Sequence, residues 1–203
     1  MNENGPAQSF QEIQPGLFRW EFFSPEHKVE LSSHAILADG KLFCFDPIPL
    51  ADEPFAQLSA RGRPTAIFLT NENHERDCIA WRERWHAPIW ASSDAALTVH
   101  DVIRFQPDRR EWREFDLHFL NGGAGGEVAF RFGTRSLLIF GDAVINLPSR
   151  KLELLPAKYC RDPQELRHGL AELVREPFQH MTMAHGLPVL GEASDKLAKL
   201  LSA

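Results

Sequence analysis

The sequence predicts a mixed α/β fold, a sandwich of two mixed β-sheets with helices on the outside. Two observations predict it. Short apolar runs that alternate with polar residues recur along the chain, as expected for half-buried strands. Segments with helical periodicity separate these runs in both halves of the chain. The predicted strands cover residues 17–23, 29–37, 42–46, 66–69, 88–91, 114–120, 127–132, 136–140 and 180–184. The predicted helices cover residues 52–60, 75–86, 93–99, 163–175 and 191–201.

Two local signals sharpen this prediction. The dipeptide Asp39-Gly40 separates two predicted strands, and its glycine can adopt the positive φ that a tight hairpin needs. Asp162 directly precedes Pro163, so its carboxylate can cap the following helix while proline occupies the first turn. These residues predict a two-stranded hairpin early in the chain and a well-defined helix start late in it.

Length and composition are those of one globular domain. The chain has 203 residues, of which 43% are hydrophobic and 25% are charged. We predict a polar, loosely ordered lead-in over residues 1–12 and a single domain over residues 13–203. Residues 107–110 and 147–151 are predicted to be loops at the sandwich edge, where substrate contacts commonly lie.

The charge balance excludes some classes of partner. With 22 basic and 28 acidic residues, the net charge of −6 disfavours general nucleic-acid binding and docking to anionic lipid. No apolar stretch approaches the ~20 residues that span a bilayer, and no secretory signal is visible, so we expect a cytoplasmic protein. The three cysteines are odd in number and lack close pairs, which disfavours disulfides and Cys-x-x-Cys metal sites. The sequence does not indicate an oligomeric state.

Polar motifs follow several of the predicted buried strands. The apolar run at residues 66–69 leads into Thr-Asn-Glu-Asn-His-Glu-Arg-Asp at residues 70–77. Asp142 follows a second apolar run, and His185 follows a third. A glycine-rich turn lies at residues 122–126. A carboxylate placed just past a buried strand needs a charged or hydrogen-bonding partner, so Asp142 is a strong candidate site residue.

The order and spacing of these motifs resemble the metallo-β-lactamase superfamily, and the resemblance covers nearly the whole chain. It implies a four-layer αββα sandwich and a dinuclear metal site built on His-x-His-x-Asp-His. Asp142 and His185 match the family's bridging aspartate and last histidine. The family's other ligand positions fall on different residues here, namely Asn71, Asn73, Glu75, Arg76 and Gly123.

These exchanges predict that the dinuclear metal site is lost. An asparagine carbonyl is a weak substitute for imidazole, glycine offers no side-chain ligand, and arginine cannot bind a cation. We therefore expect a hydrolase-like protein without a metal cofactor, in which Arg76 replaces the charge of the metal by pairing with Asp142 or Glu75. Its role is then to bind a small molecule or to regulate.

An alternative keeps part of the chemistry. Glu75, Asp142 and His185 offer one nitrogen and two carboxylate donors, which suit a single zinc, manganese or iron ion. Such a site would activate water against an ester, lactone or thioester. If catalysis proceeds without metal, His185 or His74 is the candidate general base, because imidazole titrates near neutrality.

Simpler structural roles stay open for the same residues. Asn71 and Asn73 are residues that commonly satisfy backbone N–H groups at turns and helix starts. Glu75 would also be favoured in the first turn of a helix by the helix dipole. His185 could be a hydrogen-bonded core histidine.

Overall fold

Two compact units make up the described part of the chain, which is residues 5–106, 112–148 and 151–203 of a computed structural model. Unit 1 takes its described residues from Met1–Leu69, His74–Ala91 and Leu97–Arg104. Unit 2 takes its described residues from Thr70–Asn73, Ser92–Ala96 and Phe105–Ala203. The loop predicted at residues 107–110 lies outside the described residues.

Unit 1 is built on a seven-stranded mixed sheet with two helices. In chain order its elements are β1 (Gln11–Gln14), β2 (Leu17–Ser24), β3 (Val29–Ala38), β4 (Lys41–Phe45), α1 (Asp52–Ser59), β5 (Arg63–Phe68), α2 (Cys78–Trp85), β6 (Ile89–Ser92) and β7 (Val102–Phe105). The strands lie side by side in the order of the sequence. β1 to β4 pair antiparallel, and β4, β5 and β6 run parallel, with α1 and α2 as the crossovers.

The Asp39-Gly40 hairpin is confirmed. Ala38 pairs with Lys41, and both residues between them have positive φ, 49° for Asp39 and 73° for Gly40. Two consecutive positive φ angles are the signature of the type I′ turn, whose twist matches that of the strands it joins.

Aromatic side chains fill the core of unit 1. The indole of Trp20 on β2 stacks on that of Trp81 on α2, with ring centroids 5.2 Å apart, and Phe55 on α1 contacts Trp81 edge-on. Both indole N–H groups donate to the carbonyl of Ile48. The buried aromatic surface is therefore obtained without leaving these indole donors unsatisfied.

Unit 2 is built on a five-stranded mixed sheet with two further helices. In chain order its elements are β8 (Asp116–Phe119), β9 (Val128–Phe132), β10 (Leu137–Phe140), β11 (Val144–Ile145), β12 (Glu153–Leu154), α3 (Pro163–Val174), β13 (His180–Met183), β14 (Val189–Leu190) and α4 (Ala193–Ser202). The order of strands in the sheet is β14-β13-β10-β9-β8, and β11 and β12 form a separate two-stranded pair. Only β10 and β13 of this sheet run parallel among the described pairings.

The predicted start of α3 is confirmed. The Asp162 carboxylate accepts the backbone N–H groups of Gln164 and Glu165 at 2.9 and 3.1 Å, with Pro163 in the first turn. The helix then buries three leucines in the core of unit 2, together with residues of the sheet and of α4. A firmly capped α3 thus fixes the crossover between the parallel strands β10 and β13.

Two of the predicted helices need correction. Residues 93–99 form a turn at 93–94 and a bend at 98–99 instead of a helix, because the backbone N–H groups of Ala96 and Thr98 donate to the carboxylates of Glu72 and Glu75. The helix predicted from residue 75 begins at Cys78, because Arg76 has a left-handed φ of 40°. A residue in that conformation cannot continue a right-handed helix.

Within residues 5–12, the described part of the predicted lead-in, two segments make regular backbone contacts. Ala7 is buried and forms a β-bridge with Leu50, and β1 begins at Gln11. Residues 147–148 and 151 connect β11 to β12 without regular structure, as predicted for this loop. Among the described residues, no helix combines the length and apolarity needed to cross a membrane. The mixture of two large mixed sheets with four helices confirms the predicted fold class.

Candidate functional site

Asp142 and His185 are brought together by the parallel strands of unit 2. Phe140 at the end of β10 lies beside Met183 at the end of β13. Asp142 and His185 each lie two residues further on, so the sheet register places them side by side. The carboxyl ends of neighbouring parallel strands are the usual location of ligand sites in α/β sheets.

The two side chains form a close pair. Nε2 of His185 lies 3.1 Å from Oδ1 of Asp142, and their side chains retain 16% and 12% of their exposure. This separation suits a direct hydrogen bond and also suits two donors of one cation. The remaining exposure leaves part of both side chains accessible to a ligand.

Asn71 holds the other oxygen of Asp142. Its side-chain nitrogen donates to Oδ2 of Asp142 at 3.1 Å and to Oε2 of Glu127 at 2.8 Å. Its side-chain oxygen accepts the backbone N–H of Asn73 at 2.9 Å. The orientation of the amide follows from these partners, since a flipped amide would turn its oxygen toward two carboxylates. Asn71 is therefore a hydrogen-bond donor toward both acids.

Glu127 is a site residue that the sequence analysis missed. It is 1% exposed, and its Oε1 accepts the backbone N–H groups of Asp142 and Ala143 at 2.9 and 3.1 Å. A signal was present, because Glu127 stands between a glycine-rich turn and a strand whose residues are all buried. A carboxylate at such a place requires several donors.

The loop that carries His185 is firmly connected to the segment after β11. Asn146 donates its backbone N–H to the carbonyl of His185, and its own carbonyl accepts the N–H of Leu187. Gly186 has a φ of 96°, and a side chain there would lie 2.0 Å from the Asn146 carbonyl oxygen. Only glycine fits this close backbone approach, which fixes the position of His185.

A second polar cluster lies within unit 1. Nδ1 of His74 lies 3.0 Å from Oδ2 of Asp46, and both side chains are almost fully buried. The guanidinium of Arg76 donates to the carbonyl oxygens of Ser32 and Asp46 at 2.9 and 3.1 Å. The catalytic role predicted for His74 stays a prediction, as does the pairing of Arg76 with Asp142 or Glu75.

The other predicted positions have identifiable local roles. The carboxylate of Glu75 accepts the N–H and hydroxyl of Thr98 and the N–H of Val99 within unit 1. These bonds compete with the metal-ligand role predicted for Glu75. Asn73 is exposed. Gly123 donates its N–H to the carbonyl of Leu120 in the glycine-rich turn.

Burial perturbs one histidine of unit 1 strongly. Burial and the nearby charge of Arg19 lower the pKa of His34 to about 3, although the charge of Asp46 opposes this shift and that of Arg76 adds to it. His34 is therefore neutral throughout the physiological range and cannot act as a proton acceptor there.

Comparisons with known proteins show the fold. No protein-family model matches the sequence, and no curated protein matches it. Solved metallo-β-lactamases match the structure closely. A metallo-β-lactamase from Pontibacter korlensis has a TM-score of 0.73 at 13% identity, with 96% of this chain and 98% of that chain covered.

Two other structures agree with this result. The metallo-β-lactamase FIM-1 from Pseudomonas aeruginosa, solved in its mono-zinc form, has a TM-score of 0.73 at 12% identity, covering 98% of this chain and 96% of that chain. A metallo-β-lactamase from Erythrobacter litoralis has a TM-score of 0.69 at 11% identity, covering 95% of this chain and 91% of that chain. The chain therefore has the metallo-β-lactamase fold, as the resemblance in sequence implied.

Proposed function

We propose that this chain is a metal-free member of the metallo-β-lactamase fold that binds a small polar molecule at Asp142 and His185. One observation carries the proposal. Protein donors engage both oxygens of Asp142, with Asn71 on Oδ2 and His185 on Oδ1. A carboxylate engaged in this way keeps its charge compensated by hydrogen bonds and has less need of a cation.

The residues at the other ligand positions support the absence of a dinuclear site. Asn71 directs an N–H donor toward the acids, and Gly123 has no side chain to offer. Glu75 is engaged by Thr98 and Val99. Arg76 is a cation and therefore cannot serve as a ligand. This donor set does not fit two zinc ions, which require imidazole and carboxylate donors. The replacement of metal charge by Arg76 belongs to the proposal as an expectation from the sequence.

Ligand binding would use the accessible atoms of the pair. His185 can exchange a proton with a bound molecule, while Asp142 orients the imidazole through Oδ1. A ligand with a carbonyl or hydroxyl group fits this chemistry, since imidazole can donate to one and accept from the other. The role is then binding or regulation on a hydrolase fold, because function belongs to the site and not to the scaffold.

The alternative is a mononuclear hydrolase that uses Asp142 and His185, with Glu75 as the third ligand. The 3.1 Å separation between Nε2 and Oδ1 favours it, because two ligands of one ion stand about this far apart. When bound, the ion would supply an activated water for attack on an ester, lactone or thioester. Glu75 would first have to leave Thr98 and Val99.

Metal analysis separates the two functions. Untagged protein, purified without chelator, is analysed by plasma mass spectrometry as wild type, Asp142→Ala and Asp94→Ala, the last being an exposed acid of the same unit. The metal-free proposal expects no stoichiometric metal in any sample. About one equivalent of zinc, manganese or iron in wild type and Asp94→Ala, lost in Asp142→Ala, would overturn it in favour of the hydrolase.

A ligand screen completes the test. Thermal unfolding is followed with γ-butyrolactone, p-nitrophenyl acetate and simple carboxylic and hydroxy acids at millimolar concentration. We expect at least one compound to raise the melting temperature of wild type and Asp94→Ala, and to have no effect on Asp142→Ala. A compound that stabilises all three proteins equally binds elsewhere and does not support the proposal.

A further inference from the structure

We infer that Glu127 is a positioning residue of this site: its buried carboxylate anchors Asp142 so that Oδ1 faces His185. The inference rests on the proposed function, because it assigns how the binding pair is held. Glu127 is an acid that is 1% exposed in the interior of unit 2.

The first step is the set of donors that Glu127 receives. Oε1 accepts the backbone N–H groups of Asp142 and Ala143, and Oε2 accepts the side-chain amide of Asn71. Asp142 is therefore held at two points, directly through its own N–H and indirectly through Asn71, which donates to its Oδ2. With the backbone and Oδ2 both held, Oδ1 is the oxygen left to meet Nε2 of His185.

The second step is the space that the side chain of Glu127 occupies. A Cβ at Gly123 would lie 2.9 Å from Cγ of Glu127, and a Cβ at Gly141 would lie 2.8 Å from its Oε1. Carbon atoms at van der Waals contact stand about 3.5–4.0 Å apart, so a side chain at position 123 would displace Glu127. Glycine at these two positions makes room for the buried acid.

Spectroscopy on metal-free protein in EDTA tests the positioning role. We expect Glu127→Ala to shift the ring resonances of His185 at fixed pH, because Asp142, the partner of His185, loses the acceptor of its backbone N–H. The same variant should reduce the exchange protection of the Asn71 side-chain amide, which would keep only its bond to Asp142. Glu72→Ala is the matched control, since Glu72 also accepts a backbone N–H in unit 2, from Ala96. It should leave the His185 signals unchanged.

Glu127→Gln tests the roles of the two carboxylate oxygens separately. Its amide oxygen can still accept from Asp142 and Ala143, whereas its NH₂ group faces the NH₂ group of Asn71. We expect the His185 signals to stay near those of wild type while Asn71 loses protection. If Glu127→Ala does not fold, this variant carries the test, and full protection of Asn71 in it would overturn the inference. Unchanged His185 signals in a folded Glu127→Ala would overturn it equally.

A double-mutant cycle, followed by thermal unfolding, tests whether a side chain at position 123 competes with Glu127 for the same space. Gly123→Ala should lower the melting temperature of wild type by about 5 °C through overpacking, and should cost less in Glu127→Ala, where the contact with Cγ is gone and the contact with Cβ stays. Equal losses in both backgrounds would contradict the packing step. Metal analysis of the wild-type preparation tests the proposed function independently, so metal-free protein with unchanged His185 signals in Glu127→Ala defeats this inference alone.

Discussion

Two aspartate–histidine pairs of the described residues, Asp46–His74 and Asp142–His185, differ in burial. In unit 1, the side chains of Asp46 and His74 are 4% and 3% exposed, and Arg76 donates to the Asp46 carbonyl. In unit 2, Asp142 and His185 keep 12% and 16% of their side-chain exposure at the ends of parallel strands. The same two residue types therefore suit two tasks. The buried pair suits structural support, and the accessible pair suits ligand binding.

The largest effect should come from breaking the buried pair. Asp46→Ala removes the carboxylate beside His74, and we expect the free energy of unfolding to fall by about 3 kcal/mol or more. Urea denaturation measures this loss. Asp46→Asn, which retains an oxygen acceptor, should lose clearly less. A loss in Asp46→Ala no larger than that in Asp142→Ala would remove the distinction between the pairs.

The free energy of unfolding should depend on pH through the buried His34 of unit 1. The pKa of His34 is about 3 in the folded protein and near 6.5 in the unfolded chain. Between these values the unfolded chain binds the extra proton, so stability falls as the pH falls from about 6.5. The expected slope approaches about 1.4 kcal/mol per pH unit. Urea denaturation from pH 6.5 to 4.5 should give a shallower slope for His34→Gln, and parallel slopes would contradict the assignment.

The smallest effect on stability should come from the accessible pair. Asp142→Asn keeps an oxygen acceptor and loses a charge that is already partly exposed, so we expect a loss of about 1 kcal/mol or less. The melting temperature should change little while the ligand response of the wild type disappears. A large loss of stability without a change in ligand response would assign Asp142 a structural role instead.

Local sequence patterns predicted the structural features that depend only on neighbouring residues, namely a turn and a helix cap. The Asp39-Gly40 turn and the Asp162 cap each rest on residues within three positions of one another, and both are confirmed. Asp142 and His185 were found because each follows a buried strand. Their meeting then depends on the parallel register of β10 and β13.

The network around Asp142 could not be predicted from local patterns. Asn71 bonds Glu127 and Asp142 across 56 and 71 positions of the sequence, and His74 meets Asp46 across 28. Nothing in residues 70–77 indicates which distant acids their side chains reach. The helix predicted over residues 93–99 failed for the same reason, since distant carboxylates engage its N–H groups.

The close fit between Gly123 and Glu127 has a consequence for how the residues at these two positions can be exchanged. A histidine introduced at position 123 would meet the Glu127 side chain, since even a Cβ lies 2.9 Å from its Cγ. Removing Glu127 first would take its acceptors away from Asp142, Ala143 and Asn71. Neither single step is free of cost, so the two positions are epistatic. Exchange of both residues would therefore pass through a single variant that is less stable than the starting chain.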